Sequence, residues 1–377
     1  MRKWQLVWML AALAQAAPAQ QAVTHEGNDG LRLSSGKAEL VVLPRGGAFV
    51  SFVLSEDEKH VNPLWDPLRM AREAGLRPNF GASLGHFLCV DGFGPVTKAE
   101  RAAGLPGHGE AHELPWNVVT SSENEVTFRV LLPKVREVLT RKISMVPGEQ
   151  VALVESGIES LLPFDRVMLW AEHATIGAPF LSLGKTVVDQ SASQCQTKPY
   201  TGAKGPRTFP SGENFTWPMV KTAGGEVNAR VAPGKDGTMN HAGCLFDPRR
   251  EHEFVTAISL TDHLLLGYLI RREDYPWIQH WMNYPSNRTY SWGLEFGMQP
   301  YDMTKEEILA LSPMFGKPAF RWLPAKSKVS TKFLMFLTKV PEGFDKVDDV
   351  RLESGKLVIE NHRSNRRITL AASRGLE

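Results

Sequence analysis

The chain has 377 residues and a nearly balanced charge, with 43 Lys and Arg against 41 Asp and Glu and a formal net charge of +2 at pH 7. Proteins that bind nucleic acids carry a basic patch, and no basic run stands out here, so we expect no nucleic-acid partner. The length suffices for one large β domain or for two ordinary ones.

The N-terminal segment has the order of features typical of an export signal. Arg2 and Lys3 precede an apolar run over 6–14, and small residues follow at 17–19. We therefore expect 1–19 to be a signal peptide and 20–377 to form a single domain, periplasmic or secreted. The apolar run is too short for a comfortable membrane span, so we expect no stable span once the signal is removed.

Alternation of side chains predicts strands along most of the remaining chain. In 150–158, for example, Val151 and Leu153 share one face while Ala152 and Val154 share the other. The predicted strands are 38–43, 48–54, 125–132, 135–146, 150–158, 166–173, 253–260, 263–270, 289–297, 330–339, 356–360 and 366–372.

Only two helices are predicted, over 67–74 and 304–311, the second with a capping box formed by Thr304 and Glu307. A Gly-, Pro- and Lys-rich stretch over 198–237 is predicted to be one or two long loops. Many strands, few short helices and no βαβ rhythm predict an all-β fold, a large antiparallel β-sandwich.

The three cysteines show no metal-ligand spacing. In an oxidising compartment Cys195 and Cys244 could pair, whereas Cys89 lies in an apolar run and is expected to be a buried free thiol.

Histidines and carboxylates cluster in 107–116, which holds His108, Glu110, His112 and Glu113 between Gly and Pro residues. Such groups can move protons near neutral pH. The Gly and Pro residues argue against a helical zinc site built on the two histidines.

Two further segments hold groups suited to acid–base chemistry. Glu172 and His173 end a predicted strand, and alternation sends them to opposite faces, so one can enter a pocket while the other pairs elsewhere. Glu295 lies among apolar and aromatic neighbours in another predicted strand. Burial there would raise its proton affinity, as suits a general base, and a solvated edge-strand Glu is the alternative.

In this order, the three segments resemble the aldose 1-epimerase family and the wider galactose mutarotase-like superfamily. His108-Gly109 lies where the family carries its first active-site His-Gly, with Trp116 just downstream. His173 lies where the family's second histidine ends a strand, and Glu295 where its catalytic Glu stands. The resemblance extends from about residue 31 to 338.

The resemblance implies a galactose mutarotase-like β-sandwich with a sugar cleft, and an anomer interconversion that needs no cofactor and no metal. By this resemblance Glu295 takes the proton from the anomeric hydroxyl, His173 protonates the ring oxygen, and His108 stabilises that oxygen. The substrate would be a monosaccharide or a sugar end group. The sugar-binding candidates, which include the loosely matching Arg77-Pro78-Asn79 segment, are Arg77, Asn79, Trp116, Trp281 and Asp247, with Asp236 as the alternative to Asp247.

Two other functions stay open at this point. The chain could be a carbohydrate-binding protein without catalysis, because a fold does not determine a function. A metal-dependent hydrolase or a polysaccharide lyase would need His108, His173 and another His or Asp within metal-ligand distance.

Overall fold

The structure is a computed structural model that describes residues 21–78, 81, 83–200 and 206–377. The predicted signal peptide, 1–19, and the sugar-binding candidate Asn79 lie outside these residues, so both stay predictions. Within the described ranges no helix has the length and apolar character needed to cross a membrane.

Short helices and many strands follow one another along the chain. The helices are α1 Pro67–Glu73, α2 Lys98–Ala102 and α3 Lys305–Leu311. The strands are β1 Gln21–His25, β2 Asn28–Ser34, β3 Ala38–Val42, β4 Phe49–Leu54, β5 Phe87–Val90, β6 Asn117–Ser121, β7 Glu125–Leu132, β8 Glu137–Met145, β9 Val151–Ser160, β10 Arg166–Met168, β11 Trp170–His173, β12 Thr175–Gly177, β13 Thr186–Gln190, β14 Gln194–Thr197, β15 Asn214–Thr216, β16 Met219–Thr222, β17 Gly225–Asn228, β18 Thr238–Leu245, β19 His252–Ser259, β20 Leu264–Arg271, β21 Trp277–Tyr284, β22 Ser291–Gly297, β23 Arg321–Leu323, β24 Lys328–Lys339, β25 Asp349–Glu353, β26 Lys356–Asn361 and β27 Arg366–Ala371.

Two large antiparallel sheets form the body of the protein. The front sheet has the order β15-β14-β18-β21-β22-β11-β5, with β12 also paired to β22. The back sheet has the order β13-β19-β20-β24-β9-β8-β7-β6. The predicted antiparallel β-sandwich is therefore confirmed.

The interior of the sandwich is filled by alternate residues of both sheets. Trp292, Leu294 and Phe296 of β22 belong to one apolar cluster with Phe333 and Met335 of β24. Because side chains alternate along a strand, the residues between these, including Glu295, face the opposite side of the front sheet. That side carries the polar groups described below.

The back sheet is covered on its outer face as well. A second apolar cluster joins Leu265 and Leu269 of β20 and Leu334 of β24 to Val350 and Leu357 of the small sheet β25-β26-β27. Burial on both faces explains why β20 is almost continuously apolar instead of alternating with polar residues.

A charged network lies buried between the two sheets. Arg141 of β8 donates hydrogen bonds to both oxygens of Glu172, at 3.1 and 3.0 Å, and Tyr275 donates a third at 3.0 Å. His86 Nε2 lies 2.9 Å from the same carboxylate. Burial alone would raise the pKa of Glu172, but the charge of Arg141 and the contact with His86 lower it to about 2.

The helices agree with the sequence-based expectations, with one addition. α1 and α3 are confirmed, and Thr304 and Glu307 form the predicted capping box. The short α2 was not predicted. Its own capping box joins Thr97 and Glu100, and its five residues are too few to show helical periodicity.

The described parts of 198–237, which are 198–200 and 206–237, contain irregular segments, as predicted, but also β15, β16 and β17. A disulfide joins Cys195 to Cys244, which are paired directly across β14 and β18, while Cys89 is a buried free thiol.

Candidate active site

A buried carboxylate and imidazole meet on the outer face of the front sheet. Glu295 of β22 and His173 at the end of β11 approach to 3.1 Å between Oε1 and Nε2. The sheet register explains the contact, because Glu172 is paired with Phe296 and its neighbour His173 therefore lies beside Glu295. Glu172 and His173 thus lie on opposite faces, as the alternation predicted.

The space for the Glu295 carboxylate exists because residue 293 has no side chain. A Cβ atom added at Gly293 would lie only 2.1 Å from Glu295 Oε1. Across the sheet, Gln279 of β21 pairs with Glu295, and its Nε2 donates a hydrogen bond to the other carboxylate oxygen. Gly293 therefore leaves room for the carboxylate within β22, and Gln279 fixes its position from β21.

The His173 ring is fixed by aromatic and polar neighbours. It stacks on Phe87, with 4.2 Å between ring centroids, and meets Trp281 edge-on at 5.8 Å. Its Nδ1 lies 2.8 Å from Thr175 Oγ1, and the Thr175 hydroxyl donates to the His173 carbonyl at 3.4 Å. Thr175 therefore holds the Nδ1 side of the ring, and the Nε2 atom faces Glu295.

His108 completes one wall of the site. Its ring centroid lies 5.3 Å from that of His173. The Gly94 backbone N–H donates to His108 Nδ1 at 3.2 Å, so the neutral ring carries its proton on Nε2. His108 therefore offers one N–H donor to a ligand.

Burial shifts the proton affinities of all three groups. It raises the pKa of Glu295 well above its usual value and lowers that of His173 well below, with the charges of Asp302 and His108 acting in the same directions. Burial also lowers the pKa of His108 to about 4. Although His173 Nε2 lies 3.1 Å from Glu295 Oε1, this oxygen makes no hydrogen bond among the described residues, so it stays available to exchange a proton with a ligand.

A polar chain extends this site along the front sheet. The Asp302 backbone N–H donates to Gln279 Oε1 at 2.7 Å, and the Asp302 carboxylate binds Lys198 at 2.6 Å. His241 lies 3.8 Å from the same carboxylate, and Tyr200 lies 2.5 Å from His241. Gln279 thus links the Glu295 carboxylate to a second charged cluster.

The structure brings together four of the predicted site residues: Glu295, His173, His108 and Trp281. Trp281 is half-buried, so part of its ring remains accessible. Arg77 is exposed beyond α1, and its role in sugar binding stays a prediction.

Two other predicted residues occupy different surroundings. Trp116 is buried in the core, where its Nε1 donates to the Ala111 carbonyl at 2.9 Å and its ring packs against Gly47. It therefore supports the loop that holds His108 and has no open face for a sugar. Asp247 pairs with exposed Arg249 at 2.7 Å, and the alternative, Asp236, approaches the Tyr290 hydroxyl at 3.4 Å.

The other polar groups of the segment 107–116 make contacts within the protein. Glu110 accepts backbone hydrogen bonds from Lys134 and Val135 at 2.8 and 3.1 Å. His112 is buried against Phe87, with 5.4 Å between the ring centroids. No group of three or more His, Cys, Asp or Glu residues in the described part of the chain has an arrangement that could hold a metal ion.

Sequence reasoning missed Gln279, Asp302 and Lys198. The only available signal was alternation in 277–284, where Gln279 and Trp281 share one face between apolar and aromatic residues. Recognising that strand would have put Gln279 and Trp281 on one face, whereas the pairing of Gln279 with Glu295 depends on the register between β21 and β22.

Comparison with known proteins supports the same fold. No protein-family model and no curated protein matches the sequence. Among solved structures, a galactose mutarotase related enzyme from Lactobacillus acidophilus matches with a TM-score of 0.57 at 10% identity, covering 86% of this chain and 100% of its own.

Two further structures match comparably. A galactose mutarotase-like protein from Clostridium acetobutylicum gives a TM-score of 0.56 at 13% identity, covering 86% of this chain and 99% of its own. A structure described as a candidate aldose 1-epimerase from Klebsiella pneumoniae gives 0.56 at 14% identity, covering 87% and 88%. At such identities the likeness establishes the fold, and the predicted resemblance is confirmed at that level.

Proposed function

Starting from a chain with the galactose mutarotase-like fold, we propose that it interconverts the anomers of a sugar, as an aldose 1-epimerase does. The observation that carries the proposal is the buried contact of 3.1 Å between His173 and Glu295, beside the accessible ring of Trp281. A general acid and a general base on one surface can open a sugar ring, and an aromatic ring can pack against the C–H face of a sugar.

The proposed reaction uses the pair as a Glu295 carboxylate and a His173 imidazolium, the charge state that burial disfavours and that the sugar must therefore stabilise on binding. Glu295 takes the proton from the anomeric hydroxyl while His173 gives its proton to the ring oxygen, and the C1–O5 bond breaks. The Nε2–H of His108 donates to the ring oxygen as negative charge develops there. Gln279 donates to Glu295 and so favours the ionised carboxylate that the step requires.

Ring closure reverses both proton transfers. After rotation about C1–C2, the ring oxygen attacks the other face of the carbonyl, its proton returns to His173, and Glu295 protonates the new anomeric oxygen. The pair ends with the protons it began with, so the cycle needs no oxidant, reductant or co-substrate. The substrate class in this proposal is a monosaccharide or the reducing end of a longer sugar.

Replacement of Glu295 by Gln tests the proposal. Polarimetry follows the relaxation of freshly dissolved α-D-glucose and α-D-galactose, and loss of a general base should lower the catalysed rate about 100-fold or more. Glu253→Gln is the matched control, because Glu253 is equally buried but lies on β19 of the back sheet. A rate for Glu295→Gln equal to that of the control would remove Glu295 from the mechanism.

A carbohydrate-binding protein without catalysis is the second function to consider. The observation in its favour is the raised pKa of Glu295, because a carboxyl group that stays protonated cannot act as a base. That function predicts binding of the same sugars in calorimetry with no acceleration of mutarotation.

We also propose that the protein acts outside the cytoplasm, in the periplasm or after secretion. The disulfide between Cys195 and Cys244 supports this location, since such bonds persist in oxidising compartments. Mass spectrometry of the protein from its native host tests it, and an intact Met1 in the mature protein would contradict it.

A further inference from the structure

A large cavity lies away from the His173–Glu295 pair, at one end of the sandwich. Its volume is about 760 Å³, within the range of small-molecule sites. The stretch 206–237 builds one side, with Phe209, Val227 and Val231 among its apolar residues, and Met282 and Tyr284 of β21 form the other. We call this space the end cavity.

The end cavity and the candidate active site lie on opposite faces of the front sheet. On β18, Asn240 lines the cavity while its neighbour His241 belongs to the polar chain of the site. On β21, Met282 lines the cavity while Trp281 contacts His173. Alternation along the two strands therefore separates the two spaces, and the cavity is not an extension of the sugar cleft.

Two hydrogen-bond donors in the cavity wall have no partner among the described residues. The Tyr284 side chain is 1% exposed and its hydroxyl makes no hydrogen bond. Arg207 Nε is likewise buried without an acceptor, although the guanidinium carbon lies 3.4 Å from the centroid of the Tyr200 ring. Buried donors are nearly always paired, so two beside one cavity, on its two sides, point to an acceptor that a ligand supplies.

The charge of the cavity wall is positive. Arg207 and Lys235 line the cavity, and no Asp or Glu is among its lining residues. An oxygen-bearing anion would satisfy the two donors and this charge together, while the apolar walls would bury a hydrocarbon body.

We propose that the end cavity binds a small amphipathic carboxylic acid. The carboxylate accepts hydrogen bonds from Tyr284 and Arg207, and its apolar part lies against Phe209, Val227 and Met282. This site does not use the His173–Glu295 pair, although Arg207 also contacts Tyr200 of the polar chain. The long stretch 206–237 is the element that creates it.

Calorimetric titration with octanoate and decanoate, below their micelle concentrations, tests the site, with 1-decanol as the uncharged probe. Decanoate should bind at one site and at least tenfold more tightly than 1-decanol. Equal binding of the two probes would overturn the role of the carboxylate, and no binding of either acid would overturn the proposal.

Three variants locate the site. Tyr284→Phe removes a hydroxyl that has no partner, so it should leave thermal stability unchanged and weaken decanoate binding about fivefold. Arg207→Gln should weaken it about tenfold. Met282→Trp should abolish it by filling the cavity, because Met282 is buried and its side chain forms part of the cavity wall.

Matched controls separate the site from general effects. Tyr290→Phe removes a hydroxyl that contacts Asp236, and Arg249→Gln removes a charge on an exposed turn; neither residue lines the cavity. Both should bind decanoate as the unaltered protein does. Folded Met282→Trp protein that still binds decanoate with unchanged affinity would refute the assignment. The assay contains no sugar, so its failure leaves the mutarotation proposal standing.

Discussion

Gly293→Ala is a sharp test of whether the position of the Glu295 carboxylate matters. The added Cβ would lie 2.1 Å from Glu295 Oε1, whereas real Cβ atoms essentially never approach closer than 3.0 Å. The carboxylate must therefore retreat by about 0.9 Å or more, away from the position that gives its contact with His173. Misplacement of a reacting group by about 1 Å costs on the order of 100-fold in rate.

The variant should fold. Residue 293 lies within β22, and its backbone is not in the left-handed region, so alanine is compatible with the strand. Gly157→Ala in β9 is the control, because its Cβ meets chiefly the flexible end of Lys328, at 3.0 Å. Polarimetry with α-D-glucose and α-D-galactose gives the rates, and thermal unfolding monitored by circular dichroism gives the stability. A folded Gly293→Ala protein that retains the full rate would refute the reasoning.

Two further predictions concern stability. Burial lowers the pKa of His108 and His241 to about 4, so between pH 6.5 and pH 4 the unfolded chain binds protons that the folded chain does not. The free energy of unfolding should therefore fall as the pH falls through this window. In His108→Gln, the slope of this free energy against pH, measured by urea unfolding at several pH values, should be smaller by up to about 1.4 kcal/mol per pH unit. An unchanged pH slope would contradict the lowered pKa of His108. Arg141→Met leaves the Glu172 carboxylate buried without its main partner and should lower the free energy of unfolding by about 3–5 kcal/mol, measured in urea. Exposed Arg129→Met on β7 is the control, and equal stability of the two variants would show that the buried pair contributes little.

The sequence allowed prediction of the elements whose local signals are strong. Alternation identified the strand that contains Val151 and Leu153, and the capping box at Thr304 identified α3. β18 and β21 were missed because histidine, glycine and aromatic residues obscure their alternation. Local pattern therefore predicted β7, β8, β9, β19, β20 and β24 of the back sheet, but only β11 and β22 of the front sheet.

The candidate site was predictable only in part. Resemblance to a family, and not any local signal, joined His108, His173 and Glu295 into one site. Gln279 and Asp302 act through contacts that depend on strand register and on the chain after β22, which one sequence does not reveal. Trp116 follows His108 closely in sequence, yet the close approach of Gly47 places its ring in the core.

The alternation along β18 and β21 makes the front sheet a dividing wall between two chambers. Asn240 and His241, or Trp281 and Met282, are neighbours in the chain but serve different chambers. Point substitutions can therefore alter one chamber and leave the other intact. A single-residue insertion in either strand would move every side chain beyond it to the opposite face of the sheet, and so from one site to the other. The lengths of these strands are therefore more constrained than their compositions.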